Sequence, residues 1–212
     1  MPKVTQEYIV EKKKKIVEAT IEILHQHPLY EITMLDIIRQ AGISKGGIYL
    51  YYNDIDQVII DVVNYLSSQQ TPYVLPQNDE KESIEVNILR LFESLGKYID
   101  ETPGDIFKIR FELMVYLGSH AEKTERIMSQ LILQNVGDDF MKYLGHLVEK
   151  GVTMGEFRSN IPINLIMTNA SVYIDGICDT IAMSVMQKRK TFNSALYLYF
   201  REYAFAMIQS MK

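Results

Sequence analysis

Ser44-Lys-Gly-Gly-Ile-Tyr-Leu-Tyr-Tyr52 sets hydroxyls, an ammonium and bare backbone along one short stretch. Groups of this kind bond phosphate oxygens and base edges. Wound as a helix from Lys45 to Tyr52, at about 100° per residue, the stretch has two faces. With Ser44 at 0°, Ile48 falls near roughly 40° and Tyr52 near roughly 80°, suited to packing on Ile37, Ile38 and an earlier helix. Gly46, Gly47 and Leu50 point away from that core, and Tyr49 sits at its edge. Each glycine weakens an isolated helix by roughly 0.8–1 kcal/mol relative to Ala. That cost makes sense where the backbone must come close to another surface, and a major groove about 12 Å wide admits such a helix. The plain alternative is a helical domain with a chance tyrosine cluster, in which Tyr49 and Tyr51 are core or surface aromatics.

Other reactive side chains do not assemble into a site. His25 and His27 are two residues apart and point to different sides of a helix. His146 and Glu149 have a spacing that metal sites use, but no second such pair accompanies them, so an ordinary surface pair is expected. Asp138 and Asp139 read as solvated, and Cys178, in an apolar helix, as a buried inert thiol. There is no Gly-rich phosphate loop and no serine nucleophile elbow. No catalytic residue, metal ligand or cofactor is assigned, and the chain is not expected to be an enzyme.

The elements that must position Ser44–Tyr52 follow from apolar residues spaced three and four apart from end to end, with no convincing alternating strand and no internal repeat. The first helix runs from about Tyr8 to Gln26, with Ile16, Ala19, Ile23 and Leu24 on one stripe. Lys12–Lys15 spread over about 300° of it and cannot form one patch. Pro28 breaks it. Thr33 and Asp36 form a capping box for a short helix from Met34 to Gln40. Ala41-Gly42-Ile43 makes a tight turn, and Ser44 caps the next helix. Asp54 caps a fourth. Two short helices joined by a Gly-containing turn and packed on a preceding helix make a helix-turn-helix. Further helices are expected at about 79–100, 102–119, 122–151 and 162–188, and from Thr191 to Met211, with a loop from Thr153 to Asn160. The fold class is all-α, with about nine helices in two domains, 1–54 and 55–212.

Composition agrees. The 212 residues are 47% hydrophobic and 23% charged, an ordinary globular balance. One cysteine excludes a disulfide framework and a cysteine-based zinc site. No apolar run reaches the ~18 residues of a membrane span. Met1–Lys15 lacks the apolar centre of a signal peptide, so a cytoplasmic location is the expectation. The net charge of −5 argues weakly against a nucleic-acid partner. The charge is uneven, however: residues 1–53 hold seven Lys/Arg against six Asp/Glu, and the remainder holds fifteen against twenty-one.

Thr33-Met-Leu-Asp-Ile-Ile-Arg-Gln-Ala-Gly-Ile-Ser-Lys-Gly-Gly-Ile-Tyr-Leu-Tyr-Tyr52 resembles the DNA-binding signature of the tetracycline-repressor (TetR/AcrR) family, over about residues 12–62. Gly155-Glu-Phe-Arg-Ser159 is a weaker echo of the family's loop before its dimerisation helices. The resemblance implies that Thr33, Ser44, Tyr49 and Tyr51 contact phosphate. It places Lys45, Gly46 and Gly47 against the bases, with Lys45 suited to guanine, and Leu50 against a thymine methyl. Ile48 and Tyr52 would be core. Ile55 departs from the family, which usually has a phosphate-gripping lysine there; the loss should flatten the salt dependence by about one unit of slope.

The last two helices are apolar on more than one face, which calls for burial on more than one side. On the helix expected at 162–188, Ile163, Ile166, Ala170, Ile174, Ile177, Ile181 and Val185 make one stripe; the last carries Phe192, Leu196, Tyr199, Tyr203 and Ala206. A copy of the chain across a two-fold axis would cover one side. Ala170, Ile174, Ile177, Ile181, Tyr199 and Tyr203 are the expected dimerisation residues. A four-helix homodimer contact is also what the resemblance implies, with recognition helices about 34–36 Å apart. It further implies an effector cavity, for which Phe107, Phe111, Met114, Met167, Asn169 and Tyr173 are candidates. The expected function is a regulator that binds a double-stranded pseudo-palindromic operator and is released by a small apolar or amphipathic effector. The alternatives are a DNA-binding regulator controlled by a protein partner, and a helical enzyme or interaction module with a vestigial helix-turn-helix.

Overall fold

The computed structural model describes residues 5–158, 160 and 162–212. Among these there are ten α-helices and no strand. They group into two units, residues 1–70 with 108–133 and residues 71–107 with 134–212.

In the first unit, α1 (Gln6–Leu24) is capped by the Thr5 side chain and buries Ile16, Val17, Ile23 and Leu24. A 3-10 turn (Leu29–Glu31) follows the Pro28 break. Helices α2 (Met34–Ala41), α3 (Lys45–Ile48) and α4 (Ile55–Gln69) come next. The unit is completed by most of α6 (Gly104–Ser119) and by α7 (Ala121–Met128). Ile109, Leu113, Leu117 and Ile127 join Ile16, Leu24, Ile37, Ile48, Tyr52, Val58 and Val62 in one core. Each such side chain contributes about 1.5–3 kcal/mol on full burial.

The stretch expected as one helix from 122 to 151 is two, α7 and α8 (Val136–Thr153). The break is held from a distance. The Asn64 amide on α4 donates to the Gln130 carbonyl (3.0 Å) and accepts the Ile132 N–H (2.7 Å), replacing the helical bonds these groups would otherwise make. The expected helix from 79 to 100 begins later, as α5 (Ile84–Glu101), because Ser83 caps it through the Val86 N–H. The last helix, α10 (Leu196–Met211), begins at Leu196 rather than at Thr191, with the Asp100 carboxylate accepting the Leu196 N–H at 2.7 Å.

The second unit packs α5 against α10 and α8, with α9 (Ile163–Met186) against α8 and α10, around an aromatic core. The Phe92 ring meets Phe140 edge-on at 5.1 Å, and Tyr173 stacks on Tyr203 at 3.9 Å. At Gly96 α5 and α10 approach closely: a Cβ there would lie 2.5 Å from the Tyr197 Cα. In the loop before α9, the Glu156 carboxylate accepts the Ile84 N–H at the start of α5 (2.9 Å). Phe157 is buried beside Gly151. The Arg158 N–H donates to the Met211 carbonyl at the end of α10 (3.0 Å). Ser159, the last residue of the Gly155–Ser159 motif, lies outside the described residues, as do Met1–Val4 at the start of the segment expected to lack a signal-peptide centre.

Candidate nucleic-acid interface

Thr33 opens α2 with a complete capping box. Its hydroxyl accepts the Asp36 N–H at 3.3 Å and donates to the Asp36 carboxylate at 2.5 Å, and its own N–H donates to the same carboxylate at 3.0 Å. These bonds to Thr33 hold the Asp36 carboxyl below its ordinary range. Thr33 is exposed, yet both groups through which it would reach a phosphate already bond Asp36. Gly42 ends α2 at φ 61°, a left-handed conformation that glycine adopts without steric cost. The turn then delivers Ser44, whose hydroxyl accepts the Gly47 N–H at 3.0 Å.

The recognition segment is shorter as a regular helix than its sequence suggests. α3 ends at Ile48, and Tyr49–Tyr51 continue as tight turns. The Tyr52 N–H still reaches the Ile48 carbonyl (3.1 Å), so the winding holds to Tyr52. With Gly46 and Gly47 in its first turn, the segment draws little on helix propensity. It is held from beneath. Ile48 and Tyr52 are fully buried among α1, α2 and α4 residues, and the Tyr52 hydroxyl donates to the Asp61 carboxylate at 2.9 Å. The Lys13 ammonium bonds that carboxylate at 3.0 Å and lies over the Tyr52 ring at 4.7 Å. Burial, then the neighbouring carboxylate, push the Tyr52 phenol far up, so it stays protonated and donating.

The opposite face is open. Ser44, Lys45, Gly46, Tyr49 (45% exposed) and Leu50 (81% exposed) lie at the surface. Gly47 and Tyr51 are half-buried. Among the described residues Lys45 makes no ion pair, whereas Lys14 and Lys15 pair within α1 with Glu18 and Glu11. Ile55 is half-buried against the core, so the position where the family carries a lysine is here a packing position.

The other expected site residues are dispersed. Phe111 is half-buried and Met114 exposed in the first unit. In the second, Phe107 is buried, Met167 and Tyr173 are half-buried, and Asn169 is exposed. The Tyr173 hydroxyl donates to the Tyr199 carbonyl at 2.9 Å. A pocket of about 280 Å³ in the second unit is lined by Tyr73, Val74, Leu75, Gln134, Asn135, Val136 and Asp139, none of them among those six. Ala170 is fully buried inside its own unit, and Ile174, Ile177, Ile181, Tyr199 and Tyr203 are half-buried. The exposed apolar side chains of α9 and α10 are others: Leu165, Val172, Met183, Met186, Leu198 and Phe205. Among the described residues no cluster of His, Cys, Asp or Glu is arranged to hold a metal ion, and no helix is long and apolar enough to cross a membrane.

Sequence reasoning missed the residues that brace this face. Asp61 and Lys13 are 48 positions apart, and nothing local signals their bond. Asp56, buried at the start of α4, accepts the Tyr116 hydroxyl (2.7 Å), lies 3.2 Å from the Lys123 ammonium and pairs with Arg126. Burial pushes its carboxyl up, but the bonds from Tyr116 and Lys123 outweigh that and hold it below the ordinary value.

Residues 16–62 match the model of the bacterial regulatory proteins of the tetR family. The transcriptional regulator YfiR of Bacillus subtilis is 24% identical over 179 residues, covering 83% of this chain and 82% of its own. SrpR of Pseudomonas putida, also an HTH-type transcriptional regulator, is 25% identical over 165 residues, 77% of this chain and 70% of its own. Among solved structures, the repressor MexZ of Pseudomonas aeruginosa superposes with a TM-score of 0.59 at 16% identity, covering 95% of both chains. A TetR transcription regulator from Haloarcula marismortui gives 0.59 at 18%, over 95% of this chain and 98% of its own. At these identities the structural likeness speaks to the fold. Over residues 16–62 the chain thus carries the helix-turn-helix domain of the tetR family of bacterial regulatory proteins, and the regulators it is similar to share most of its length.

Proposed function

We propose that this chain is a TetR-family transcriptional regulator, a cytoplasmic repressor that binds a pseudo-palindromic operator as a homodimer and leaves it when a small apolar or amphipathic effector binds. The observation that carries the reading is the two-sided recognition segment: Ile48 and Tyr52 anchor it, while Ser44, Lys45, Gly46, Tyr49 and Leu50 stand clear. Lys45 and Leu50 read bases; Ser44, Tyr49 and Tyr51 bond phosphate. Because Asp36 occupies the Thr33 hydroxyl and amide, a phosphate contact at Thr33 has to share or displace that carboxylate. Residues 1–54 supply the operator contacts and 55–212 the effector and dimer contacts. The exposed apolar side chains of α9 and α10, Leu165, Val172, Met183, Met186, Leu198 and Phe205, face the partner subunit. Half-buried Ile174, Ile177, Ile181, Tyr199 and Tyr203 flank them. Repression and effector release are what the family resemblance implies for this chain.

The test is selection of a duplex from a random pool, followed by binding measurements. A two-fold symmetric site should emerge, and Lys45→Ala should cost about 1–3 kcal/mol of affinity for it. Replacing thymine by deoxyuridine, which removes only the methyl, should weaken wild-type binding at the position Leu50 reads and leave Leu50→Ala indifferent. A pool that yields no preferred sequence at about 0.15 M salt sinks the reading in favour of a vestigial helix-turn-helix. Thermal shifts against an apolar ligand library decide the effector: concentration-dependent stabilisation supports it, and none favours control by a protein partner.

A further inference from the structure

α6 carries a buried ion pair whose partners lie in the backbone of another element. Lys108 and Glu112, one turn apart, are both buried, with each carboxylate oxygen 3.0 Å from the ammonium. The Lys108 ammonium also donates to the Leu24 carbonyl at 2.7 Å and to the His27 carbonyl at 3.4 Å. The Glu112 carboxylate accepts the Leu29 N–H at 3.0 Å. The pair therefore grips both sides of the Pro28 break: the end of α1, where helical carbonyls lack partners, and the start of the 3-10 turn. Four residues beyond Leu29 the chain enters α2 at Thr33, the edge of the face assigned to DNA.

A buried ion pair is weak evidence of stabilisation, because desolvating two charges offsets much of their attraction and well-packed apolar replacements are often as stable. What a doubly hydrogen-bonded pair does supply is geometry: an ammonium and a carboxylate with fixed backbone partners admit one arrangement of the bend, whereas apolar packing admits several. We infer that Lys108 and Glu112 are positioning residues for operator binding, fixing the bend between α1 and α2 and so the placement of the α2 start relative to the recognition segment. This inference rests on the DNA-binding reading above. It adds to the operator machinery two residues well outside the helix-turn-helix.

The experiment uses the full-length chain and the duplex that the wild-type protein selects from a random pool. Lys108→Met with Glu112→Leu should melt within a few degrees of wild type or above it, and lose at least tenfold in affinity for the selected duplex. Its binding to an unrelated duplex at low salt should stay within twofold. Selected-duplex affinity within twofold of wild type in a folded double variant overturns the inference, as does an equal loss on both duplexes. If the double variant does not fold, Glu112→Gln decides. It keeps an acceptor for the Leu29 N–H and removes the charge that orients Lys108; a fivefold selective loss supports the inference and unchanged affinity overturns it. Failure of the wild-type protein to select any duplex is a different result and overturns the underlying reading.

Discussion

A Cβ added to Gly96 would lie 2.5 Å from the Tyr197 Cα, whereas one added to Gly46 would meet nothing within 4 Å. The two glycines serve different surroundings. At Gly96 two long helices of the same protein have closed on each other, and the missing side chain is required by the fold. At Gly46 the protein leaves open space, and its own packing gives no reason for the missing side chain. The α5–α10 contact is complete as it stands. The recognition segment is finished on its lower side only, by Ile48 and Tyr52, and its upper side fits a surface the chain does not provide.

This contrast can be tested by ranked substitutions. Ile48→Ala should be the most damaging, costing about 2–5 kcal/mol of unfolding free energy in urea, because a fully buried anchor is replaced by a cavity. Gly96→Ala should follow, at about 1–3 kcal/mol, since backbone is what the new methyl meets. Gly46→Ala should stabilise the chain by up to about 1 kcal/mol through helix propensity and yet weaken binding to the selected duplex. If Gly96→Ala costs no more stability than Gly46→Ala, the contrast fails. The smallest effect is in pH. Asp56 is held below its unfolded value, so its contribution is fully present above about pH 4 and is lost as pH falls through the lower folded value. Asp56→Asn should reduce stability at neutral pH and flatten the acid limb of the stability–pH curve; an unchanged acid limb would show that Asp56 has no part in it.

The helix-turn-helix was legible because its signals are local. Thr33 and Asp36, Gly42 and Ser44 each act within four residues, and the periodicity separating Ile48 and Tyr52 from Leu50 spans two turns. What escaped the sequence acts over distance. The break after α7 depends on Asn64, and nothing in residues 129–135 demands it. Lys108 and Glu112 have the spacing of a surface pair, and their burial depends on the α1 turn, 81–84 positions away. Periodicity also located an apolar stripe on α9 without saying which way it faces. Ala170 turns inward, while Val172, two residues on and off the stripe, is exposed. An apolar helix with two candidate faces carries no local mark of which one its own core takes.

Glu156, Phe157 and Arg158 follow one another in the loop before α9. Three adjacent residues latch the beginning of α5, plug the space beside Gly151 and tie down the end of α10. Two helix termini far apart in the chain therefore share one fastener. Lengthening the loop by even two residues should loosen both ends in the same step, and amide protection at Ile84 and at the close of α10 should fall together.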